Sequence, residues 1–456
     1  MSSNETGLFF DGALLPEGWA TNVRAVVADG CFRSVTAGAS PAPADKRHAV
    51  ALPGMANLHS HAFQRGMAGL AERRGPTGDS FWTWRNVMYR FVDRLSPDQI
   101  RVIAAMAYVE MLETGFTRVG EFHYLHHAPD GHPYADVAET SAAIMAAAGE
   151  AGIALTHLPV LYAHSGFGGQ VPTEGQRRFI NDPDRFATLV EGARVAAASL
   201  PDAVVGIAPH SLRAVTPEEL NMAVGLVADA PIHIHIAEQQ REVDDCVAWG
   251  GARPVAWLLD HAPVDARWCL IHATHVDARE TRRMAQSGAV AGLCPITEAN
   301  LGDGLFPVGD FMAAGGRIGI GSDSNVLIDA SEELRLLEYG QRLTLQQRNV
   351  LAAEAGDSTG RSLYVAAGAG GARALGVPSG IAPGCAADFL TLDTNHPGMC
   401  AAKGDGLLDT FLFAAGRSAI DCVWRRGVQV VSGGRHRDRD ATARAYRDVI
   451  RALAAD

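Results

Sequence analysis

HAVALPGMANLHSH, residues 48–61, sets a short apolar run directly ahead of two histidines, His59 and His61, and this order recurs along the chain. PIHIHIAE (231–238) carries His233, His235 and Glu238 on and just past an alternating strand. WCLIHA (268–273) closes on His272, and RIGIGSD (317–323) runs into Asp323. Each is a strand-like segment with a reactive side chain at its C-terminal end. Four further runs have the same strand character: FTRVGEF (116–122), IALTHLPVLY (153–162), AVVGIAP (203–209) and AVAGLC (289–294). Helix-like stretches separate them. SPDQIRVIAAMAYVEMLETG opens on a serine before a proline, a cap and first-turn pair, and stops at a glycine; DRFATLVEGARVAAASL and TPEELNMAVGLVADA follow further on. Strands alternating with helices over residues 49–375 imply βα units on a parallel sheet. Eight such units imply closure into a (β/α)8 barrel of the TIM type.

The two ends of the chain read differently. RAVVADG, ADFLTLD, IDCVWRRG and VQVVSGG are short strand-like pieces separated by turns. The expected organisation is therefore a small β-sandwich domain built from residues 1–47 and 383–435, a barrel over 48–382, and a C-terminal amphipathic helix over 436–456. With 47% hydrophobic and 20% charged residues the composition is that of an ordinary globular protein. Net charge is −12 and no basic block occurs, which argues against nucleic acid or an anionic membrane as partner. The seven cysteines are scattered without a CxxC pair, as in a reduced cytoplasmic protein. Neither a signal peptide nor a membrane span is expected.

Barrel enzymes carry their catalytic groups at the C-terminal ends of the strands. The residues of an extended segment at i and i+2 point to one side, so His59 and His61 can reach the same ion. A histidine pair alone is as readily a packed or surface feature, and a lone aspartate as readily a cap. Histidines and carboxylates closing strands 1, 5, 6 and 8 together are not. A set of nitrogen and oxygen donors of this kind suits Zn²⁺ or Fe²⁺, and an open position on the ion would bring a bound water's pKa toward ~7. Asp323 is placed to accept that water's proton, Glu238 to carry a proton to a substrate nitrogen, and His272 to polarise the reacting centre.

In this order the residues resemble the amidohydrolase superfamily over nearly the whole chain, including Pro383-Gly384-Cys385-Ala386-Ala387-Asp388-Phe389. In its mononuclear deaminase branch the resemblance implies His59, His61, His235 and Asp323 as ligands of one Zn²⁺ per chain, with Fe²⁺ the alternative, and Glu238, His272 and Asp323 in catalysis. His233, one alternation step deeper, is expected inside the barrel. The lysine that bridges two metals in other branches would end the fourth strand, where this chain reads Gly206-Ile207-Ala208-Pro209-His210. The resemblance also places a histidine where this chain has Asn325.

The stretches GDSFWTWRNVMYRF (78–91), VGEFHYLHH (119–127), GIAPHSLRAV (206–215), HIAEQ (235–239) and CPITEANLGDG (294–304) carry a narrower resemblance. It is to members of the family that hydrolyse a linear formamidine borne on a dicarboxylate and release ammonia. Two carboxylates call for guanidinium forks. Arg85, after the first strand, and Arg213, after the fourth, are the expected clamp, with Tyr124 as a further donor. Gln64 and His210 are expected near the amidine head. Phe81, Trp82 and Trp84 either exclude water or pack the loop. The rival readings are a deaminase of a cyclic amidine on the same metal site, and a barrel that has lost activity and serves as a binding module. The partner expected is a small-molecule substrate, and the expected assembly is a homodimer.

Overall fold

The computed structural model describes residues 5–75 and 79–455. The first four residues of the expected sandwich segment, Gly78 at the head of the aromatic stretch and Asp456 at the end of the terminal helix lie outside them.

The barrel strands, numbered here in chain order, are Met55–Ser60, Phe116–His123, Ala154–Leu161, a fourth made of Val204–Val205 and Ala208–Pro209, Ile232–Ile236, Trp268–His272, Val290–Leu293 and Arg317–Ile320. All neighbours pair in parallel. The ring closes through the parallel bridges Ile207↔Ile232 and Ser211↔His235. Strand 4 is broken at Gly206, where a Cβ would stand 2.4 Å from the Pro231 carbonyl. Only glycine lets strand 5 approach that closely. Strand 8 meets strand 1 through Gly321 in the same way, since a Cβ there would lie 2.8 Å from both the Cβ and the carbonyl oxygen of His59.

The first strand is the point at which sequence expectation and structure differ. HAVALP (48–53) is not a barrel strand. It belongs to Lys46–Pro53, which runs parallel to Thr6–Leu15 and antiparallel to Phe389–Leu392. The barrel begins after Gly54, with Met55–Ser60. Lys46–Pro53 thus forms the middle of an eight-stranded mixed sheet contributed by both chain ends. Its core is aromatic: Phe389 stacks on Trp424 with centroids 5.5 Å apart and meets Phe10 edge-on at 5.2 Å.

The helices start where their caps require. Pro97–Glu113 has a capping box between Ser96 and Gln99, Pro183–Ala197 is capped by Asp182, and Pro217–Gly225 by Thr216. The terminal helix Arg439–Ala455 docks on Pro97–Glu113 through Arg439 and Glu113, 2.8 Å apart. No helix among the described residues is long and apolar enough to cross a membrane.

A buried charge cluster joins sheet to barrel. Arg425, 5% exposed, bonds both Asp388 and Asp202 (2.8 Å to the latter), and Arg118 reaches the same Asp202 at 3.2 Å. Burial pulls the Arg118 guanidinium down to about 10, against the raising effect of Asp202. Removing one member of such a cluster leaves its partners buried and unpaired. Arg425→Met should therefore lower unfolding stability by about 3 kcal/mol, read as a shift of the urea midpoint. Turnover measured at 25 °C on the folded fraction should stay near that of the unsubstituted protein.

Candidate active site

Four strand ends bring their side chains to one point at the C-terminal mouth of the barrel. His59 comes from strand 1 and His61 from just past it, His235 from strand 5, His272 from strand 6 and Asp323 from just past strand 8; all five are buried. The Nε2 atoms of His59 and His235 face each other at 3.0 Å. Asp323 Oδ1 lies 3.5 Å from His59 Nε2 and 3.3 Å from His61 Nε2. His61 donates from Nδ1 to the Phe122 carbonyl at 2.8 Å, which leaves its Nε2 lone pair directed at the cluster. Burial lowers His59 to about 3 and pushes His61 and His235 down as well. Burial alone would raise the Asp323 carboxyl, but His59, His272 and His61 hold it below its usual range. Neutral imidazoles with converging lone pairs beside an ionised carboxylate fit a divalent cation of intermediate softness. His59, His61, His235 and Asp323 could hold it.

His272 and Glu238 stand beside this set. His272 Nε2 is 3.8 Å from Asp323 Oδ2 and 4.0 Å from Glu238 Oε1. Its Nδ1 donates to Glu298 Oε1 at 3.1 Å, and that oxygen also accepts the Cys294 backbone N–H at 2.9 Å. Burial opposes a charge on His272, yet Glu238, Glu298 and Asp323 together raise it to about 10. Burial, reinforced by Asp303, Asp323 and Glu242, keeps the Glu238 carboxyl well above the ordinary carboxylate range despite the opposing His272. Side by side, His272 and Glu238 thus favour keeping a proton between them. His272, Ala273, Asp323 and Asn325 all have left-handed backbones, with φ of 68°, 49°, 45° and 55°. Such conformations cost about 1–2 kcal/mol each in L-residues and collect at functional sites.

The remaining residues expected at the site line one cleft above the cluster: Gln64, Arg85, Tyr124, His210 and Arg213. Gln64 donates to the Tyr124 hydroxyl at 2.8 Å. Arg85 comes from the helix Phe81–Val92, and its guanidinium lies 4.6 Å over Trp82 and 5.5 Å from Tyr89. Its Nε is buried without a hydrogen-bond partner among the described residues. Arg213 is engaged already: its Nε bonds Glu242, a residue the sequence did not single out. Phe81 and Trp84 line the cleft, whereas Trp82 stacks against the arginines behind it. His233 is bonded inside the barrel to the Ala374 carbonyl at 2.8 Å, away from the cluster.

Three positioning residues of the site have roles that the sequence does not show. Glu298 and Glu242 sit in helix first turns, where an acidic residue ordinarily reads as a cap. The third is Asn325, at the position where family resemblance calls for histidine. Its amide donates to Ser60 Oγ and to the carbonyls of His61 and Asp323, each at 3.1 Å, and its oxygen accepts from Ser322 Oγ at 2.6 Å. Ser322 in turn accepts from Asn57 at 2.6 Å. The side chain brackets the ends of strands 1 and 8.

A model described as "Amidohydrolase family" matches residues 50–430, and one described as "Formimidoylglutamate deiminase HutF, N-terminal domain" matches residues 7–49. The formimidoylglutamate deiminase of Pseudomonas aeruginosa is 54% identical, over 98% of this chain and 99% of its own. A 5-methylthioadenosine/S-adenosylhomocysteine deaminase of Natronomonas pharaonis is 29% identical, over 77% of this chain and 75% of its own. Among solved structures, an amidohydrolase from Brucella melitensis has a TM-score of 0.96 at 57% identity, covering 98% of this chain and 100% of that one. An adenosine deaminase from Xanthomonas campestris with bound zinc, 22% identical, shares the fold at a TM-score of 0.80 over 98% of both chains.

The bracket gives a direct test. Asn325→Ala should leave the fold intact but lower divalent-metal affinity about 10- to 100-fold, the scale on which loss of a ligand-orienting partner acts. Metal retained after dialysis against a graded chelator series measures it, with retention equal to the unsubstituted protein counting against the bracket.

Proposed function

The chain belongs to the amidohydrolase family, and from that footing we propose that it hydrolyses N-formimidoyl-L-glutamate to N-formyl-L-glutamate and ammonia, a step of histidine degradation. The observation that carries the reading is the match to formimidoylglutamate deiminase over nearly the full length of both chains. The cleft supports it. Two guanidinium groups, Arg85 and Arg213, line the same cavity as the donor cluster. That arrangement suits a small molecule with an amidine at one end and two carboxylates at the other. A cyclic amidine would need ring-edge contacts where these arginines stand.

Our reading of the residues is as follows. A divalent ion held by His59, His61, His235 and Asp323, zinc in our proposal with ferrous iron as the alternative, would act as a Lewis acid and make hydroxide available at neutral pH. Asp323 accepts the proton of the attacking water. Glu238, whose carboxyl keeps a proton in its buried setting, gives it to the terminal nitrogen of the formimidoyl group. His272, held by Glu298 through Nδ1, presents Nε2 to the reacting carbon and offsets the negative charge that develops there. Water adds to the formimidoyl carbon; the proton taken by Asp323 passes on to the terminal nitrogen already protonated by Glu238, the hydroxyl proton of the adduct returns to Glu238, the bond to that nitrogen breaks, and ammonia leaves with the N-formyl amide intact. Arg85 and Arg213 bind the carboxylates, Tyr124 adds a hydrogen bond, and Gln64 and His210 contact the head of the substrate. Seven free thiols suit a reducing cytoplasm. The assembly we propose is a homodimer.

The reaction is tested by incubating the zinc-loaded protein with N-formimidoyl-L-glutamate and resolving ammonia, formylglutamate and glutamate. Ammonia and formylglutamate in equal amounts are expected; a metal-replete protein that releases neither would overturn the assignment. Glu238→Gln should keep its metal yet lose about 10²- to 10⁴-fold in kcat. His235→Ala should instead lose the metal itself, as elemental analysis would show. Arg85→Met should raise KM about 10- to 100-fold, the scale of one hydrogen bond to a charged group, with a smaller change in kcat. An unchanged KM would remove Arg85 from the clamp.

A further inference from the structure

We infer that Glu242 is a positioning residue that ties recognition of a substrate carboxylate by Arg213 to the placement of Glu238; this rests on the function proposed above. Glu242 lies in the first turn of the helix Gln240–Gly250 and is 4% exposed. Its two carboxylate oxygens face in different directions. Oε1 bonds Arg213 Nε. Oε2 accepts the backbone N–H of Glu238 at 2.8 Å and of Gln239 at 3.3 Å. A single carboxylate therefore joins an arginine that follows strand 4 to the backbone of a proton-carrying residue that follows strand 5. Both Arg213 and Glu238 line the cleft.

A helix cap alone does not account for this arrangement. A capping carboxylate is satisfied by first-turn amides and ordinarily sits in water. Here the carboxylate is buried, and its second oxygen is committed to a guanidinium from another βα unit. Glu242 raises the Arg213 guanidinium above its ordinary value against the effect of burial, so the arginine stays charged. The contact is made through Nε, which leaves the terminal nitrogens of Arg213 to meet a carboxylate in the cleft that it lines. A planar guanidinium fixed along one edge presents its other edge in a defined direction. The same carboxylate fixes the peptide N–H of Glu238, two residues past the end of strand 5, where the proton-carrying side chain departs. Filling the arginine end and aiming the acid end are thus two jobs of one side chain.

Glu242→Gln separates these jobs. The amide oxygen can still accept from Glu238 N–H, but the amide NH₂ then meets Arg213 Nε, donor against donor. Glu242→Gln should keep metal content, lose some melting temperature because Arg213 is left buried and unpaired, and, measured on the folded protein, raise KM about 10- to 100-fold, with a smaller fall in kcat. Glu242→Ala, which removes both contacts, should lower kcat as well. The decisive measurement is the cycle of Glu242→Gln, Arg213→Met and the double variant on kcat/KM. The double variant should cost scarcely more than Arg213→Met alone. A double loss equal to the product of the two single losses would overturn the linkage. An unsubstituted protein that releases no ammonia would instead remove the proposed function. In that event a crystal structure of Glu242→Gln decides the linkage: Arg213 swung from its place supports it, and Arg213 and Glu238 in unchanged positions overturn it.

Discussion

Burial of uncharged imidazoles around one carboxylate is the constraint on which the mouth of this barrel depends. Two ring nitrogens 3.0 Å apart, as in His59 and His235, can share at most one proton between them and lose water on burial. Such an arrangement persists only if the backbone imposes it. The imposition is visible in Gly321, which lets strand 8 run against His59, and in the Asn325, Ser322 and Asn57 chain that joins the same two strands. His61 is oriented from the other side by the Phe122 carbonyl on strand 2. The cluster is held by strand ends rather than by loops, so its geometry follows from barrel closure.

Much of this was legible because barrel chemistry follows strand order. Each of His59, His61, His235, His272 and Asp323 ends a strand-like run, and the periodicity of two places HxH on one face. The first strand was misassigned for a physical reason: HAVALP and MANLHS are consecutive extended segments separated by Gly54, and both are apolar. Nothing local distinguishes which one joins the parallel sheet. That choice is made by partners far away in the chain, Thr6–Leu15 and Phe389–Leu392. Glu242 and Glu298 were hidden in a similar way. REVDD reads as a solvated helix start, and only contact with Arg213, 29 residues earlier, marks Glu242 as buried. Asn325 drew notice as a departure from the family pattern, yet two of its four hydrogen bonds, to Ser60 and His61, reach across to the end of strand 1 and have no signature in spacing.

Electrostatically the cleft is divided. Around His272 the carboxylates of Glu238, Glu298, Asp303 and Asp323 crowd together, and burial with this crowding lifts Asp303 to about 7. Burying so many acidic groups against one imidazole is the setting a divalent cation would relieve. At the other side stand Arg85 and Arg213, packed on Trp82 at 4.6 and 6.0 Å. An indole face tolerates guanidinium groups without neutralising them. A substrate with a basic head and acidic tail is therefore aligned by the field before any specific hydrogen bond forms.

The two halves of the cleft also differ in what holds them. The donor cluster is fixed by strand backbones, whereas Arg85 belongs to the helix Phe81–Val92 and Arg213 to the segment after a broken strand. Relatives with other named substrates share the fold at low identity, as expected if loops set the substrate while strands keep the chemistry. Such a division carries a cost: a recognition end that moves independently of the acid end would bind without aligning. Glu242 lies at the seam between them, with one oxygen on the loop arginine and the other on the strand-end amide of Glu238. A barrel that recruits its specificity from loops needs some such connection, and a buried carboxylate with two separately directed oxygens is a small and rigid means of making it.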